Sequence, residues 1–311
     1  MIDRDKRHPE KVNKPFNPIK RKPEWIRSKI FNSQIFFQTK QIVNQNNLVT
    51  VCEEAKCPNI GECWNTGTAT FMILGDTCTR ACRFCHIKTA NNGQMVDPLE
   101  PQKIAGNCKK LGLKYVVLTM VNRDDLDDGG ANHIADVITK IRSVCRDIRI
   151  EILSGDFYGD LSCLKIIRDA GPDVFAHNLE TVSRLTPRVR DRRADYMQSL
   201  RVLAEYKKIS NKQVPTKSSI MLGLGESIEE VHSTLKDMRV HGVELLTIGQ
   251  YMRPTKKHLS VKEWIKPEYF IQLRDFAMDL GFTAVAASPL VRSSYKAYDQ
   301  YEAFLRKKME S

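Results

Sequence analysis

Six cysteines fall within 34 residues of this chain: Cys52, Cys57, Cys63, Cys78, Cys82 and Cys85. The last three read Cys78-Thr-Arg-Ala-Cys82-Arg-Phe-Cys85, a C-x-x-x-C-x-x-C spacing placed just after an apolar run. Three thiolates this close together suit one soft metal centre and leave a fourth coordination position unfilled. On a four-iron cluster, one iron would then stay open to a small-molecule ligand. Two other readings use the same residues. Cys82-Arg-Phe-Cys85-His86 matches the C-x-x-C-H haem-attachment pattern, which leaves Cys78 unexplained. Zinc could take His86 as a fourth ligand, but adjacent Cys85 and His86 would strain one tetrahedral site. The open-iron cluster is the reading adopted. The upstream triplet, Cys52-Glu-Glu-Ala-Lys-Cys57-Pro-Asn-Ile-Gly-Glu-Cys63, is spaced too loosely for a zinc knuckle. Alone it reads equally well as scattered core thiols. Beside the first triplet it suggests a second cluster with three cysteines and no obvious fourth ligand. Cys108, Cys145 and Cys163 lie in amphipathic stretches, where packing is the default role.

The elements that must position these residues show in the hydropathy. Apolar runs at 69–74, 115–120, 148–153, 173–177, 218–222, 244–248 and 283–287 predict buried strands. Helical periodicity fills the intervals at 101–111, 132–144, 162–170, 196–208, 227–240 and 267–280, with Gly112, Gly171, Gly242 and Gly281 as stops. Such alternation predicts βαβ units and a parallel sheet under helices, either doubly wound or a barrel. Functional loops then follow the carboxyl ends of the strands. Residues 1–68 do not alternate and read as an N-terminal extension, 69–287 as the βα-repeat domain, and 288–311 as a C-terminal tail.

The first triplet, with an aromatic before its last cysteine and βα repeats behind it, resembles the radical S-adenosylmethionine (SAM) superfamily. The match becomes narrower with Cys52-Glu-Glu-Ala-x-Cys57-Pro-Asn, Gly67-Thr-Ala-Thr-Phe-Met-Ile-Leu-Gly75, Arg123-Asp-Asp-Leu-x-Asp-Gly-Gly130, His177-Asn-Leu-Glu180, Gly223-Leu-Gly-Glu226, Gly249-Gln-Tyr251 and Arg292-Ser-Ser-Tyr295. Together these resemble the lipoyl synthases over about residues 23–297. The resemblance implies a partial (β/α) TIM-type barrel with the tail covering its mouth. It implies that Cys78, Cys82 and Cys85 hold a [4Fe–4S] cluster whose open iron chelates SAM, and that an electron from this cluster cleaves SAM to a 5′-deoxyadenosyl radical. It implies an auxiliary [4Fe–4S] cluster on Cys52, Cys57 and Cys63, closed by Ser294 of the R-S-S-Y motif and consumed as sulfur donor. The activity implied is radical insertion of two sulfur atoms at carbons 6 and 8 of a protein-bound octanoyl-lysine, with two SAM used per lipoyl group.

The implied partners are octanoylated lipoyl-accepting domains, namely 2-oxoacid dehydrogenase acyltransferase subunits and the glycine-cleavage H protein. An electron donor such as ferredoxin or flavodoxin and an iron–sulfur carrier complete the set. Asn178 and Glu180, after a strand, could hold polar groups of SAM, or equally serve as surface or cap residues. Gly223 and Gly225 permit close backbone approach at another strand exit. Arg292 could face a carboxylate, SAM or the cluster, or be an ordinary surface arginine. Asn122 and Ser288 depart from the family pattern, which has Asp and Gly there, and put local loop shape or a SAM contact in question. The alternatives are a radical SAM methylthiotransferase acting on tRNA and, outside enzymes, a zinc-bound nucleic-acid-binding module.

Composition bounds the rest. The chain has 311 residues, 41% hydrophobic and 28% charged, as in globular proteins, and its longest apolar runs fall far short of a membrane span. Lys plus Arg number 49 against 37 Asp plus Glu, a net +12 that favours an acidic partner. We read that partner as a protein, not nucleic acid or membrane. The first 29 residues hold ten Lys or Arg and four Pro, lack the apolar core of a secretory signal, and include Asp3, Asp5 and Glu10, which a mitochondrial presequence would usually avoid. This stretch reads as a basic surface arm. With clustered thiols, it points to a bacterial cytoplasm in preference to a mitochondrial matrix.

Overall fold

A computed structural model describes residues 21–27, 37, 40–41 and 59–310. Its main sheet has seven parallel strands in the order β1-β4-β5-β6-β7-β8-β9, formed by Thr68–Ile73, Tyr115–Met120, Arg149–Leu153, Val174–Ala176, Thr216–Leu222, Leu245–Gln250 and Ala284–Ala287. A two-stranded parallel ladder, β2 (Thr77–Cys78) with β3 (Lys88–Thr89), stands apart at the exit of β1. Helices α2 (Glu100–Lys110), α3 (Ala131–Val144), α4 (Ser162–Ala170), α5 (Tyr196–Ile209), α6 (Ile228–Val240) and α7 (Pro267–Asp279) join successive strands. The short helix α1 (Ile60–Asn65) precedes β1, and α8 (Ala297–Glu310) ends the chain.

Strand alternation divides the core in two. Val116, Leu118, Ile150, Ile152, Phe175, Leu246 and Ile248 face the helices. Tyr115, Val117, Val174 and Leu245 face inward and meet Ala297, Tyr301 and Phe304 of α8. Helix starts follow local chemistry: the Ser227 hydroxyl accepts the Glu230 N–H while the Glu230 carboxylate accepts the Ser227 N–H, a capping box that opens α6. One 14-residue helix, α8, reaches several strands at once. Gln300 Nε2 donates to Leu246 O at 2.9 Å, the Tyr301 hydroxyl donates to Asp173 Oδ1 at 3.4 Å, and the Tyr115 and Tyr301 ring centroids are 6.2 Å apart. Only a curled sheet brings β4, β6 and β8 within reach of one helix, and β1 and β9 remain as edges. The sheet is a partial barrel.

The tail goes further than the sequence suggested. Residues 288–291 follow β9 across the mouth, where Ser288 N–H donates to Ile248 O and Pro289 O accepts from Gln250 N–H, both at 3.2 Å. Lys296 then turns with φ of +50°, and α8 fills the opposite end. Among the described residues no helix is long and apolar enough to cross a membrane.

Candidate functional site

The β2–β3 ladder staples both ends of the loop that carries Cys82 and Cys85, and it seats Cys78 at the last position of β2. All three cysteines are half-buried. The Cys78 sulfur accepts the Arg80 N–H at 3.4 Å, and the Cys82 sulfur accepts the Asp191 N–H at 3.3 Å. Burial pushes the Cys78 thiol up to about 11, helped by the nearby Cys85. Burial, then Cys85 and Cys78, push Cys82 up to about 12. Cys85 therefore lies close enough to act on both Cys78 and Cys82. Without metal Cys78 and Cys82 are protonated at neutral pH, and metal binding must displace those protons. Among the described residues no three His, Cys, Asp or Glu side chains gather tightly enough to share one ion. On a four-iron cluster each thiolate would sit on a separate iron.

The loop is fastened from four directions. Arg80 is buried, its Nε 2.9 Å from Asp124 Oδ2 after β4 and its Nη1 2.8 Å from Asp156 Oδ2 after β5. Burial works to raise the Asp156 carboxyl, yet Arg80 brings it down to about 2. The Ala81 N–H donates to Asp191 Oδ2 at 2.8 Å, and Arg193 grips Asp191 and Thr79 O. Thr79 N–H donates to Asn122 O at 2.9 Å, so the departure at 122 contributes a backbone carbonyl to the brace. The buried His258 donates from Nε2 to Cys85 O at 2.9 Å, with Thr255 Oγ1 2.8 Å from Nδ1, and its ring lies edge-on to His86 at 5.5 Å.

Asn178 and Glu180 lie on the exit of β6. Glu180 takes a left-handed φ of +67°, and its backbone bridges to Ile220. Asn178 Nδ2 donates to Glu180 Oε1 at 3.1 Å. Burial raises the Glu180 carboxyl, opposed by Arg190, a cation that also acts on Cys82. One arginine thus links both residues to the cysteine loop. At the next exit the Glu226 carboxylate accepts the Leu224 N–H at 2.9 Å. Gly223, at φ +92°, has no room for a side chain: a Cβ would lie 2.2 Å from Gln250 Nε2 and 2.4 Å from Glu263 O. Arg292 turns back to its neighbour Val291 O at 2.8 Å.

Of the upstream triplet, Cys52 and Cys57 lie outside the described residues. Cys63, half-buried on α1, meets the tail. The Tyr295 hydroxyl donates to the Glu62 carboxylate at 3.1 Å, and Asn59 Nδ2 donates to Leu290 O at 2.7 Å. Burial, then Glu62, push the Tyr295 phenol up to about 12, and Cys63 adds to the rise. Ser293 and Ser294 are half-buried in a turn closed by Tyr295 N–H to Arg292 O at 2.9 Å. The R-S-S-Y motif therefore stands beside Cys63, more than 200 residues away in sequence. Sequence reasoning gave no role to Arg80, Asp124, Asp156, Asp191 or His258. The signals available were that Arg80 falls inside the cysteine motif and Asp124 inside the Arg123-Asp-Asp-Leu motif.

The sequence profile of the Radical SAM superfamily matches residues 72–238. The mitochondrial lipoyl synthase of Candida albicans (strain SC5314) is 52% identical over 297 residues, spanning 94% of this chain and 77% of the relative. The mitochondrial lipoyl synthase of Culex quinquefasciatus is 53% identical over 282 residues, spanning 89% and 74%. The crystal structure of a methylornithine synthase (PylB) superposes with a TM-score of 0.53 at 14% identity, covering 82% of this chain and 79% of that one, a likeness of fold alone. The relatives correct one expectation. They are mitochondrial proteins, which overturns the bacterial cytoplasm inferred from the basic opening stretch. Four acids among ten cations were too weak a pattern to decide the compartment.

Proposed function

The chain belongs to the lipoyl synthase family of the radical SAM superfamily, and from that premise we propose how its residues divide the work. The activity is that of a radical SAM sulfurtransferase making the lipoyl group, and the family binds SAM and a [4Fe–4S] cluster. This displaces the tRNA methylthiotransferase and zinc-module readings. Cys78, Cys82 and Cys85 hold the SAM-cleaving cluster, and their seating on one loop stapled by the β2–β3 ladder is the observation that carries the assignment. Cys52, Cys57, Cys63 and Ser294 hold a second [4Fe–4S] cluster, supported by the approach of Tyr295 to Cys63. When bound, the first group supplies the electron that cleaves SAM, and the second supplies sulfur for carbons 6 and 8 of the octanoyl chain.

The protein's own residues hold and shield. Arg80 and Asp191 fix the cysteine loop, the Arg80 and Asp191 N–H groups donate to its sulfurs, and Asn178 and Glu180 offer polar groups to SAM at the β6 exit. A dry mouth protects a carbon radical from side reactions. The three segments 1–68, 69–287 and 288–311 then have distinct roles: second-cluster cysteines, barrel and Ser294 strap. Octanoylated lipoyl-accepting domains are the substrates, and a ferredoxin- or flavodoxin-type donor and an iron–sulfur carrier serve the clusters. The mitochondrial matrix is the compartment. The test is anaerobic turnover with an octanoyl-lysine peptide, SAM and reductant, followed by mass spectrometry. Lipoyl peptide and two 5′-deoxyadenosine per product are expected. Cleavage of SAM with no sulfur transfer, in protein loaded with both clusters, would sink the reading.

A further inference from the structure

The charge around the barrel mouth is sorted. At the exits of β4 and β5 three acids are held by arginines, Asp124 and Asp156 by Arg80 and Asp125 by Arg123 at 2.9 Å, while Asp127 and Asp160 are exposed. The exits of β6 and β8 are rich in cations instead, and both loops clasp one residue of the cysteine loop. Arg83 donates its N–H to Val189 O at 2.9 Å, and its carbonyl accepts the Leu259 N–H at 3.3 Å. This double contact brings two loops, which meet it through Val189 and Leu259, 70 residues apart in sequence, to flank Cys82 and Cys85. Arg188 and Arg192 are exposed on one flank and Lys262 on the other. The acids of the same loops are mostly committed. Asp191 is held by Arg193 and the Ala81 N–H, and Asp195 caps α5 by accepting the Gln198 N–H at 2.7 Å. Glu263 is the exposed exception. Outward-facing charge on the β6-exit and β8-exit loops is therefore mostly positive, in a chain already at +12.

We propose that the β6-exit and β8-exit loops form the docking surface for the octanoyl-bearing carrier, and that Arg188, Arg192 and Lys262 select an acidic surface on that protein. The proposal rests on the sulfurtransferase reading, which makes the substrate protein-borne. A carrier domain must present its lysine-linked chain at the mouth, and the loops flanking the cysteines are the first surface it meets. Exposed cations of one sign steer an acidic partner and fix its orientation, while adding little for a small neutral substrate.

The experiment compares two substrates on the fully loaded enzyme: an octanoylated glycine-cleavage H protein and a short octanoyl-lysine peptide without acidic residues. The variant Arg188→Glu/Arg192→Glu/Lys262→Glu reverses the three charges, and Arg188→Lys/Arg192→Lys/Lys262→Arg keeps them. Charge reversal should lower kcat/KM for the H protein by roughly ten- to a hundredfold at low salt, and flatten its salt dependence. Peptide turnover should stay as it is in the unaltered enzyme, which also certifies the fold and the clusters, and the charge-keeping variant should behave like the unaltered enzyme with both substrates. Equal H-protein rates before and after reversal would overturn the docking surface. So would parallel loss with both substrates, or competition by transfer RNA that reversal abolishes. Failure of the unaltered enzyme to convert the peptide would instead strike the sulfurtransferase reading.

Discussion

At the mouth of the barrel, Arg80 is buried between Asp124 and Asp156, carboxylates delivered by two different strand exits. At the closed end, Lys217 of β7 is buried 3.0 Å from Glu151 of β5, whose carboxylate also accepts the Tyr115 hydroxyl at 2.8 Å. Both are ion pairs inside protein, but they hold different things. Lys217 and Glu151 sit in strands on either side of β6, so their bond satisfies buried charge on a frame that the ladders fix. Arg80 belongs to a loop with no ladder of its own beyond the β2–β3 staple, and its bonds are what set the loop against the sheet. A buried pair on a strand is replaceable by apolar packing; a buried pair on a loop is part of the site.

The largest effect that tests this difference is at the loop's own ligands. Cys82→Ala should abolish 5′-deoxyadenosine formation while leaving the barrel folded, read by anaerobic SAM cleavage alongside thermal unfolding. Cleavage at a normal rate would remove the mouth's claim to be the reactive end.

Next is the strap that connects the two ends, since the tail carries Ser294 past Cys63 before α8 plugs the barrel. A hard alkoxide is a weaker partner for iron than a thiolate. Ser294→Cys should hold its cluster too firmly, keeping SAM cleavage while losing lipoyl product, whereas Ser293→Ala should keep more of the full activity. Both products counted in one anaerobic assay decide it. Unchanged yields of both from Ser294→Cys would end the labile-ligand argument.

The comparison itself is sharpened by paired substitutions. Lys217→Met alone leaves Glu151 buried without its cation and should cost about 3–5 kcal/mol in denaturant unfolding. Lys217→Met with Glu151→Leu should recover most of that and keep SAM cleavage. At the mouth, Arg80→Met with Asp124→Asn and Asp156→Asn removes the charges just as completely. It should recover stability without recovering cleavage, because no apolar side chain reproduces a fork spanning two strand exits. If the mouth triple variant cleaves SAM normally, the distinction between frame and loop fails.

That distinction also explains what could be read from the chain. Most strands were legible because runs such as 115–120 are continuously apolar, as strands buried on both faces tend to be, although β7 carries Lys217 and two serines. The cysteine loop was legible because Cys78, Cys82 and Cys85 are spaced locally. Helix α8 was not read, although Ala297, Tyr301 and Phe304 recur at helical spacing, because charged residues surround them and nothing in the sequence shows that a barrel end awaits them. The brace was illegible for a simpler reason: Arg80 meets partners 44 and 76 residues away, and His258 meets Cys85 across 173. Contacts of that range are set by the closing of the barrel, not by any local pattern.

The smallest expected effect is one of pH. Asp156 has its folded-state pKa depressed to about 2, below the unfolded value near 3.8. A depressed carboxyl contributes stability that is fully present above the unfolded pKa and is lost as pH falls through the folded one. The loss from this group should therefore begin near about pH 4 and grow by roughly 1.4 kcal/mol per pH unit below it. Asp156→Asn has no carboxylate to protonate, so its unfolding free energy should fall less steeply over the same interval. Urea titrations of both proteins at several pH values between about 3 and 7 give the difference directly, with other titrating groups cancelling. Since the bond belongs to the loop brace, cluster retention should weaken over the same interval in the unaltered enzyme, followed by its visible absorbance. Parallel stability curves for the two proteins would mean that Arg80 draws its hold from Asp124 alone, and the brace would rest on one strand exit instead of two.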